Sequence, residues 1–248
     1  MKKFTLFIVV ALCVAHLAKA QLKLYVYENN GEVTEFVASN VDSIAFTAPG
    51  TYPINPNKIE EYVDLGLSVR WATCNLGASS PEEFGDFFAW GETSTKDYYD
   101  IDNYKWCGGS AGTLTKYCMS KTYGKVDNKS QLELSDDVAN VTFGDRWRMP
   151  TDYEFKELKE NCTANWTCRD GVFGYELVSK RNGKSIFLPA AGYYYYDEID
   201  SDNFGYYWTC TLDADNSDRA MQFAFNKNGN KIIGSTRYFG QVVRPVIP

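Results

Sequence analysis

Histidine is nearly missing from this chain, and its scarcity excludes more chemistry than any residue present supports. The 248 residues hold one histidine, His16. It lies in a segment laid out as an export signal: Lys2 and Lys3 form a charged start, Phe4 to Ala15 an apolar run, and Ala18-Lys19-Ala20 a small-x-small cleavage site before Gln21. With residues 1–20 removed, no histidine remains. A Ser-His-Asp or Cys-His catalytic arrangement cannot then be assembled, nor can a His-containing zinc site. Long apolar runs are also lacking: Phe4–Ala15 is short for a membrane span and no later segment approaches the required length. Cys13 raises a lipoprotein alternative, against which Val10-Ala11-Leu12 lacks the small residue expected just before a lipidated cysteine. The expectation is an exported protein: periplasmic, on the cell surface or extracellular.

Positive charge is scarce as well. Lys and Arg number 25 against 32 Asp and Glu, a formal net charge of −7, and loss of the export segment removes three lysines and no acid, giving −10. Nucleic acid and anionic lipid both need cationic clusters, so neither is an expected partner. Six cysteines remain after processing: Cys74, Cys107, Cys118, Cys162, Cys168 and Cys210. An even count in an exported chain permits up to three disulfides in fifteen connectivities. Cys107 with Cys118 and Cys162 with Cys168 read as local closures, which leaves Cys74 with Cys210; buried free thiols are the alternative. No Cys-x2-Cys pair occurs, which disfavours a cysteine-only metal site.

The order of turn signals and apolar periods divides the chain. Residues 21–47 read as a short β-unit: Leu22, Leu24 and Val26 alternate with polar neighbours, Asn29-Asn30-Gly31 signals a hairpin, Val33–Val37 is the return strand and Val41–Phe46 a third strand. Residues 48–58 are a linker by their prolines. A main domain covers 59–248. In it Thr151 with Glu154 three residues on forms a capping box that opens a helix carrying Phe155 and Leu158, and a shorter helix is expected over Ser135–Asn140 with Asp136 and Asp137 in its first turn. Strands are expected at Val69–Thr73, Tyr175–Ser179, Ser185–Leu188, Tyr206–Thr211, Ala220–Phe225 and Gly240–Val246.

Three clusters are candidate surfaces. The run Tyr193-Tyr194-Tyr195-Tyr196 continues into acids from Asp197. Period two puts one tyrosine pair inward and one outward, and the outward pair, taken as Tyr194 and Tyr196 with Asp197 beside it, offers large, low-entropy contact area for a sugar ring or a protein. After Tyr206-Tyr207-Trp208, the stretch Asp213-Ala214-Asp215-Asn216-Ser217-Asp218 gathers oxygen ligands, so Asp213, Asp215 and Asp218 are weak calcium candidates; a solvated turn is the default. Arg146-Trp147-Arg148 reads as structural, with an arginine pairing to a carboxylate near the capped helix. Asp86 and Glu92 do not by themselves define a glycosidase pair, which requires a set carboxylate separation.

Several blocks, in order, resemble one known family. Residues 61–78 from Glu61-Tyr62-Val63-Asp64-Leu65-Gly66-Leu67, then Phe84-Gly85-Asp86-Phe87-Phe88-Ala89-Trp90-Gly91-Glu92, Trp147-Arg148-Met149-Pro150-Thr151, Leu188–Gly192, Gly205–Trp208 and Val243–Val246 are similar to the landmarks of the Fibrobacter succinogenes major paralogous domain. The resemblance covers about Ile59 to the C-terminus. It implies an α+β, C-type-lectin-like fold with two helices, small mixed or antiparallel sheets and long loops. That fold is shared with formylglycine-generating enzymes and with the variable proteins of diversity-generating retroelements. The chain lacks the Glu-Pro-Asn and Gln-Pro-Asp calcium loops of sugar-binding C-type lectins, and it has only Cys210 where formylglycine-generating enzymes need a cysteine pair. By analogy with the retroelement proteins, Tyr206, Asp213, Asp215, Asn216 and Tyr238 would face a partner, as would Trp208 in the same block. The expected function is a non-enzymatic, cofactor-free binding module for a glycan or an extracellular protein; the alternatives are a structural or adhesin subunit of a surface fibre and a retroelement variable protein.

Overall fold

The computed structural model describes residues 23–27, 33–37, 62–144, 146–200 and 203–248. The export segment, the strand expected at Val41–Phe46 and the linker lie outside the described residues. The chain divides into two compact units, 1–53 and 54–248. In the first, β1 (Lys23–Tyr27) and β2 (Val33–Val37) pair antiparallel with Lys23 opposite Val37 and Tyr27 opposite Val33, the hairpin expected around Asn29-Asn30-Gly31.

The second unit is α+β and mostly strand. Among the described residues it has two α-helices, α1 (Val138–Phe143) and α2 (Asp152–Asn161), with small antiparallel sheets of two or three strands. The capping box of α2 forms in both directions: Thr151 Oγ1 accepts from the Glu154 N–H at 3.2 Å, and Glu154 Oε2 accepts from the Thr151 N–H at 2.7 Å. Phe155 and Leu158, three residues apart on one face, are buried. One three-stranded sheet joins the unit's two ends, with β4 (Arg70–Ala72) between β3 (Tyr62–Val63) and β13 (Val246–Ile247). A second is formed by β5 (Cys162–Arg169), β6 (Val172–Ser179) and β7 (Ser185–Pro189), and a ribbon by β8 (Tyr193–Tyr195) and β9 (Glu198–Asp200). The third three-stranded sheet, β10 (Gly205–Leu212), β11 (Arg219–Asn226) and β12 (Gly229–Thr236), carries the site described below.

Alternation along β10 and β11 sends side chains into two cores. Tyr207, Phe223 and Phe225 join α2 and Trp71 on one face, where Phe155 stacks on Phe223 at 5.0 Å. Trp208, Cys210 and Ala220 join Trp90, Tyr117 and Val243 on the other. The long connection over 73–133 carries little regular structure, and two buried arginines tie it down. Arg244 donates to Asn75 Oδ1 (2.8 Å) and to the carbonyls of Ala72 (3.0 Å), Thr73 (2.6 Å) and Phe187 (2.8 Å). Arg237 donates to Tyr104 Oη (2.9 Å) and to the carbonyls of Tyr117 (3.0 Å), Ser217 (2.9 Å) and Lys116 (3.1 Å), with its guanidinium 4.9 Å from the centre of the Trp90 ring. These forked donor sets need arginine geometry, which a lysine ammonium does not reproduce.

Several expectations are corrected. The short helix starts at Val138 rather than Ser135, because Asp137 is its N-cap, accepting from the Ala139 and Asn140 N–H groups. Leu134–Asp136 is a 3-10 turn, and Asp136 binds Lys116 Nζ (2.5 Å) and the Tyr117 hydroxyl (2.6 Å) instead of a helix end. Gly240–Val246 is not one strand: Gly240, Gln241 and Val242 each make an isolated bridge, to Tyr194, Phe88 and Tyr207 respectively, and Val246 alone of the range belongs to a strand, β13. The strands β3, β5, β9 and β12 were not expected. All six cysteines of the described residues are free. Cys162 and Cys168 lie six residues apart along the single extended strand β5, about 20 Å by strand rise, far beyond disulfide reach. Cys107 and Cys118 instead bond their own turns, through the Ser110 and Ser120 carbonyls, and Cys210 sits in the second core with its thiol pushed up to about 12 by burial.

Candidate ligand-binding surface

The outer face of the β10–β11–β12 sheet is half covered. Cross-strand register sets Trp208, Gln222 and Ile233 in one row and Tyr206, Ala224 and Lys231 in the next. The second core seals the Trp208 end, while the Tyr206 end stays open. Ala224 is the smallest side chain of its row, and the space above it is a hollow of about 400 Å³ bounded by Phe204, Tyr206, Gln222, Asn230 and Ile233. A second hollow, about 430 Å³, lies between Phe204, the β11–β12 turn and the β5–β6 hairpin. Trp166 and Phe173 line it as a stacked pair, 5.9 Å apart and inclined by 6°, because they are diagonal neighbours on paired strands. Phe204, Asn226 and Asn228 border both hollows, so the two form one cleft divided by the Phe204 ring. Gly205 permits the adjacent packing: a Cβ there would meet the Phe225 ring at 2.1 Å.

The cleft lies at one end of a continuous series of rings. Phe204 stacks on Tyr206 (5.8 Å), and Tyr206 meets Tyr193 edge-on (5.3 Å). Tyr193 contacts Phe239 (5.0 Å), Phe239 contacts Tyr195 (5.1 Å), Tyr195 lies against Tyr196 (4.0 Å) and Tyr196 against Tyr98 (5.3 Å). The elements carrying them are β8 and the residue after it, the start of β10, the loop after β12 and, for Tyr98, the long 73–133 connection, drawn together by the bridges of Gly192 to Gly205, Tyr194 to Gly240 and Tyr99 to Tyr196. Acids rim this band, and they act on its phenols. Tyr193 and Tyr206 are raised by desolvation and then by Asp200, and Tyr98 by desolvation and then by Asp100, Asp102 and Asp197. The Tyr195 and Tyr196 hydroxyls are hydrogen-bonded to each other at 2.8 Å, and this bond is the main cause holding Tyr196 up at about 12. The Tyr98, Tyr193, Tyr196 and Tyr206 phenols therefore stay protonated at neutral pH and can donate hydrogen bonds.

The residues singled out in the sequence separate into three groups. Tyr196 (37 % exposed), Asp197, Tyr206 and Tyr238 lie on or beside the band, Tyr238 packing on Phe239 at 5.3 Å. Tyr194 and Trp208 are corrected. Tyr194 turns inward and packs on Phe87 (4.8 Å) and Tyr99 (5.7 Å). Strict alternation fails there because Tyr196 takes a left-handed φ of 57°, which swings its ring onto Tyr195. Trp208 is 0 % exposed and donates Nε1–H to the Phe88 carbonyl at 2.8 Å, so it is a core residue. Asp213, Asp215 and Asn216 form a turn: Asp213 Oδ1 accepts from the Asp215 (3.0 Å) and Asn216 (3.2 Å) N–H groups, and Asn216 Oδ1 accepts from the Tyr123 hydroxyl (3.2 Å). Among the described residues no three His, Cys, Asp or Glu side chains are placed to hold a metal ion, and this includes the calcium candidates Asp213, Asp215 and Asp218.

Two other sequence motifs are occupied structurally. Arg148 clamps Glu154 through both Nη atoms (2.8 and 2.5 Å), the pairing expected next to the capped helix. Glu92 is held by Lys96 Nζ (3.0 Å) and the Lys105 N–H (2.7 Å). The cleft residues Trp166, Phe173, Phe204, Gln222 and Asn230 were missed. One signal was available: Asn226-Lys227-Asn228-Gly229-Asn230 follows an alternating strand and contains Asn-Gly, a hairpin turn that would place several amides at one sheet edge. The chain matches no protein-family model, no curated protein and no solved structure.

Proposed function

We propose that this chain is an exported, non-enzymatic binding module of the Fibrobacter succinogenes major paralogous domain type, with a C-type-lectin-like fold, and that it recognises a glycan through loops between residues 193 and 239. The fold reading draws support from two short helices, small antiparallel sheets, the pairing of β4 with β13 and the long irregular connection. The observation that carries the functional reading is the unbroken band of rings from Tyr98 to Phe204, several of them half exposed. Aromatic faces accept sugar rings through CH–π contact, and tyrosine adds a hydroxyl donor with few side-chain torsions to freeze. Isolated exposed aromatics need no explanation, but a contiguous patch of them does.

Phe239 sits at the middle of the band, in contact with Tyr193, Tyr195 and Tyr238. Phe239→Ala should weaken binding of residues 21–248 to an immobilised glycan at least tenfold while the thermal midpoint stays within a few degrees. Unchanged glycan binding would remove the band from recognition. Absence of glycan binding together with capture of an extracellular protein that Phe239→Ala abolishes would reassign the surface to a protein partner.

A further inference from the structure

The cleft has a chemistry different from that of the band. Among the described residues its lining has no carboxylate, although acids outnumber cations in the chain as a whole; its charged groups are two exposed lysines, Lys227 on the β11–β12 turn and Lys231 on β12. Side-chain amides take their place. Gln222, Asn226, Asn228 and Asn230 present paired donors and acceptors without charge, in a space flanked by the faces of Phe204 and of the Trp166–Phe173 stack. Two of these amides are also incomplete within the protein. Gln222 is only 6 % exposed, and its Oε1 has no hydrogen-bond donor; Asn230 Oδ1, buried likewise, has none. A buried acceptor left unpaired destabilises the fold, so native proteins seldom retain one without a reason. Gln222 stands at the boundary between the sealed and open halves of the sheet face, where a leucine or methionine would fill the same space at no polar cost.

We infer that this cleft is a sugar-binding subsite for a neutral glycan, in which a pyranose ring stacks on Phe204 and its hydroxyls hydrogen-bond the amides of Gln222, Asn228 and Asn230. The inference rests on the glycan reading of the band and narrows it in two ways, by locating the primary contact and by naming an uncharged ligand. Sugar hydroxyls donate as well as accept, and a small swing of the Gln222 amide brings its unpaired carbonyl to one. Lys227 and Lys231 disfavour a cationic ligand, while both are exposed, so solvent screens them, and the net negative chain repels a polyanion. The two hollows on either side of Phe204 are each of a size to admit one sugar unit, so an oligosaccharide would cross the ridge instead of ending at it.

The test uses residues 21–248 and a panel of soluble neutral hexasaccharides: cellohexaose, xylohexaose, mannohexaose, laminarihexaose and maltohexaose. Isothermal titration should show binding to at least one. For that sugar, Phe204→Ala should reduce affinity at least tenfold, and Gln222→Leu should do the same while leaving the thermal midpoint unchanged or higher, because the unpaired carbonyl is gone. Tyr196→Ala, at the far end of the band, should change affinity less than threefold. Loss of binding in Tyr196→Ala with full affinity in Phe204→Ala and Gln222→Leu would overturn the cleft and keep the band. Failure of every neutral hexasaccharide, alongside binding of charged glycans that Phe239→Ala abolishes, would overturn the neutral class and keep the glycan reading. Failure of all glycans, neutral and charged, would overturn both.

Discussion

Asp137 caps α1 and also holds a second segment. Its Oδ1 accepts from the Ala139 and Asn140 N–H groups, and both its oxygens accept from the Met149 N–H, at 3.1 and 2.9 Å. Burial opposes these bonds and wins, raising the carboxyl to about 6. The folded state therefore holds its proton more tightly than the unfolded chain does, where the value is about 3.9. The stability this contributes is fully present below the unfolded value and is lost as pH rises through about 6. In urea titrations, the stability of the wild type relative to Asp137→Asn should fall by about 2–3 kcal/mol between pH 4 and pH 7.5. A pH-independent difference would mean that the charged form is fully compensated by its N–H donors. The sequence marked Asp137 as a first-turn acid, but the link to Met149, twelve residues on, was not legible. It depends on how the chain turns through Gly144, where φ is 67°. The same holds for Arg244. Its block was recognised in the sequence, yet its four acceptors come from two distant parts of the chain, 72–75 and Phe187.

Elements were readable where local chemistry fixes them. The α2 capping box needs only Thr151 and Glu154, three residues apart, and both halves form. Thr151→Ala should cost about 1 kcal/mol, read as a lower urea midpoint with unchanged slope. A loss below about 0.3 kcal/mol would show that the Arg148–Glu154 clamp alone sets the helix start. Strands with strong alternation, such as β11, were also legible. The segment 240–246 was not, because its residues look like a strand but each pairs with a different partner: Tyr194, Phe88, Tyr207 and, through Val246, Arg148 and Trp71. The tyrosine run shows the opposite failure. Alternation was read correctly over β8 but carried one residue too far, into the left-handed position of Tyr196. This reversed the assignment of Tyr194.

Across the molecule, net charge was legible in the composition and the α+β class in the order of elements, whereas the cleft was not. It is assembled from β5, β6, β10, β11 and β12, and the sequence separates Trp166 from Asn228 by four intervening strands and a tyrosine ribbon. Single aromatics and asparagines carry no site signal until pairing places them together. The acidic run Asp213–Asp218 did carry a visible signal, and the structure uses it as a turn. The most direct discrimination between these two regions is a glycan array probed with residues 21–248, once in calcium and once in chelator. Recognition by ring stacking and amide hydrogen bonds gives selective binding of neutral glycans that is equal in both conditions. Binding that appears in calcium and vanishes in chelator would contradict it and return recognition to the Asp213–Asp218 turn.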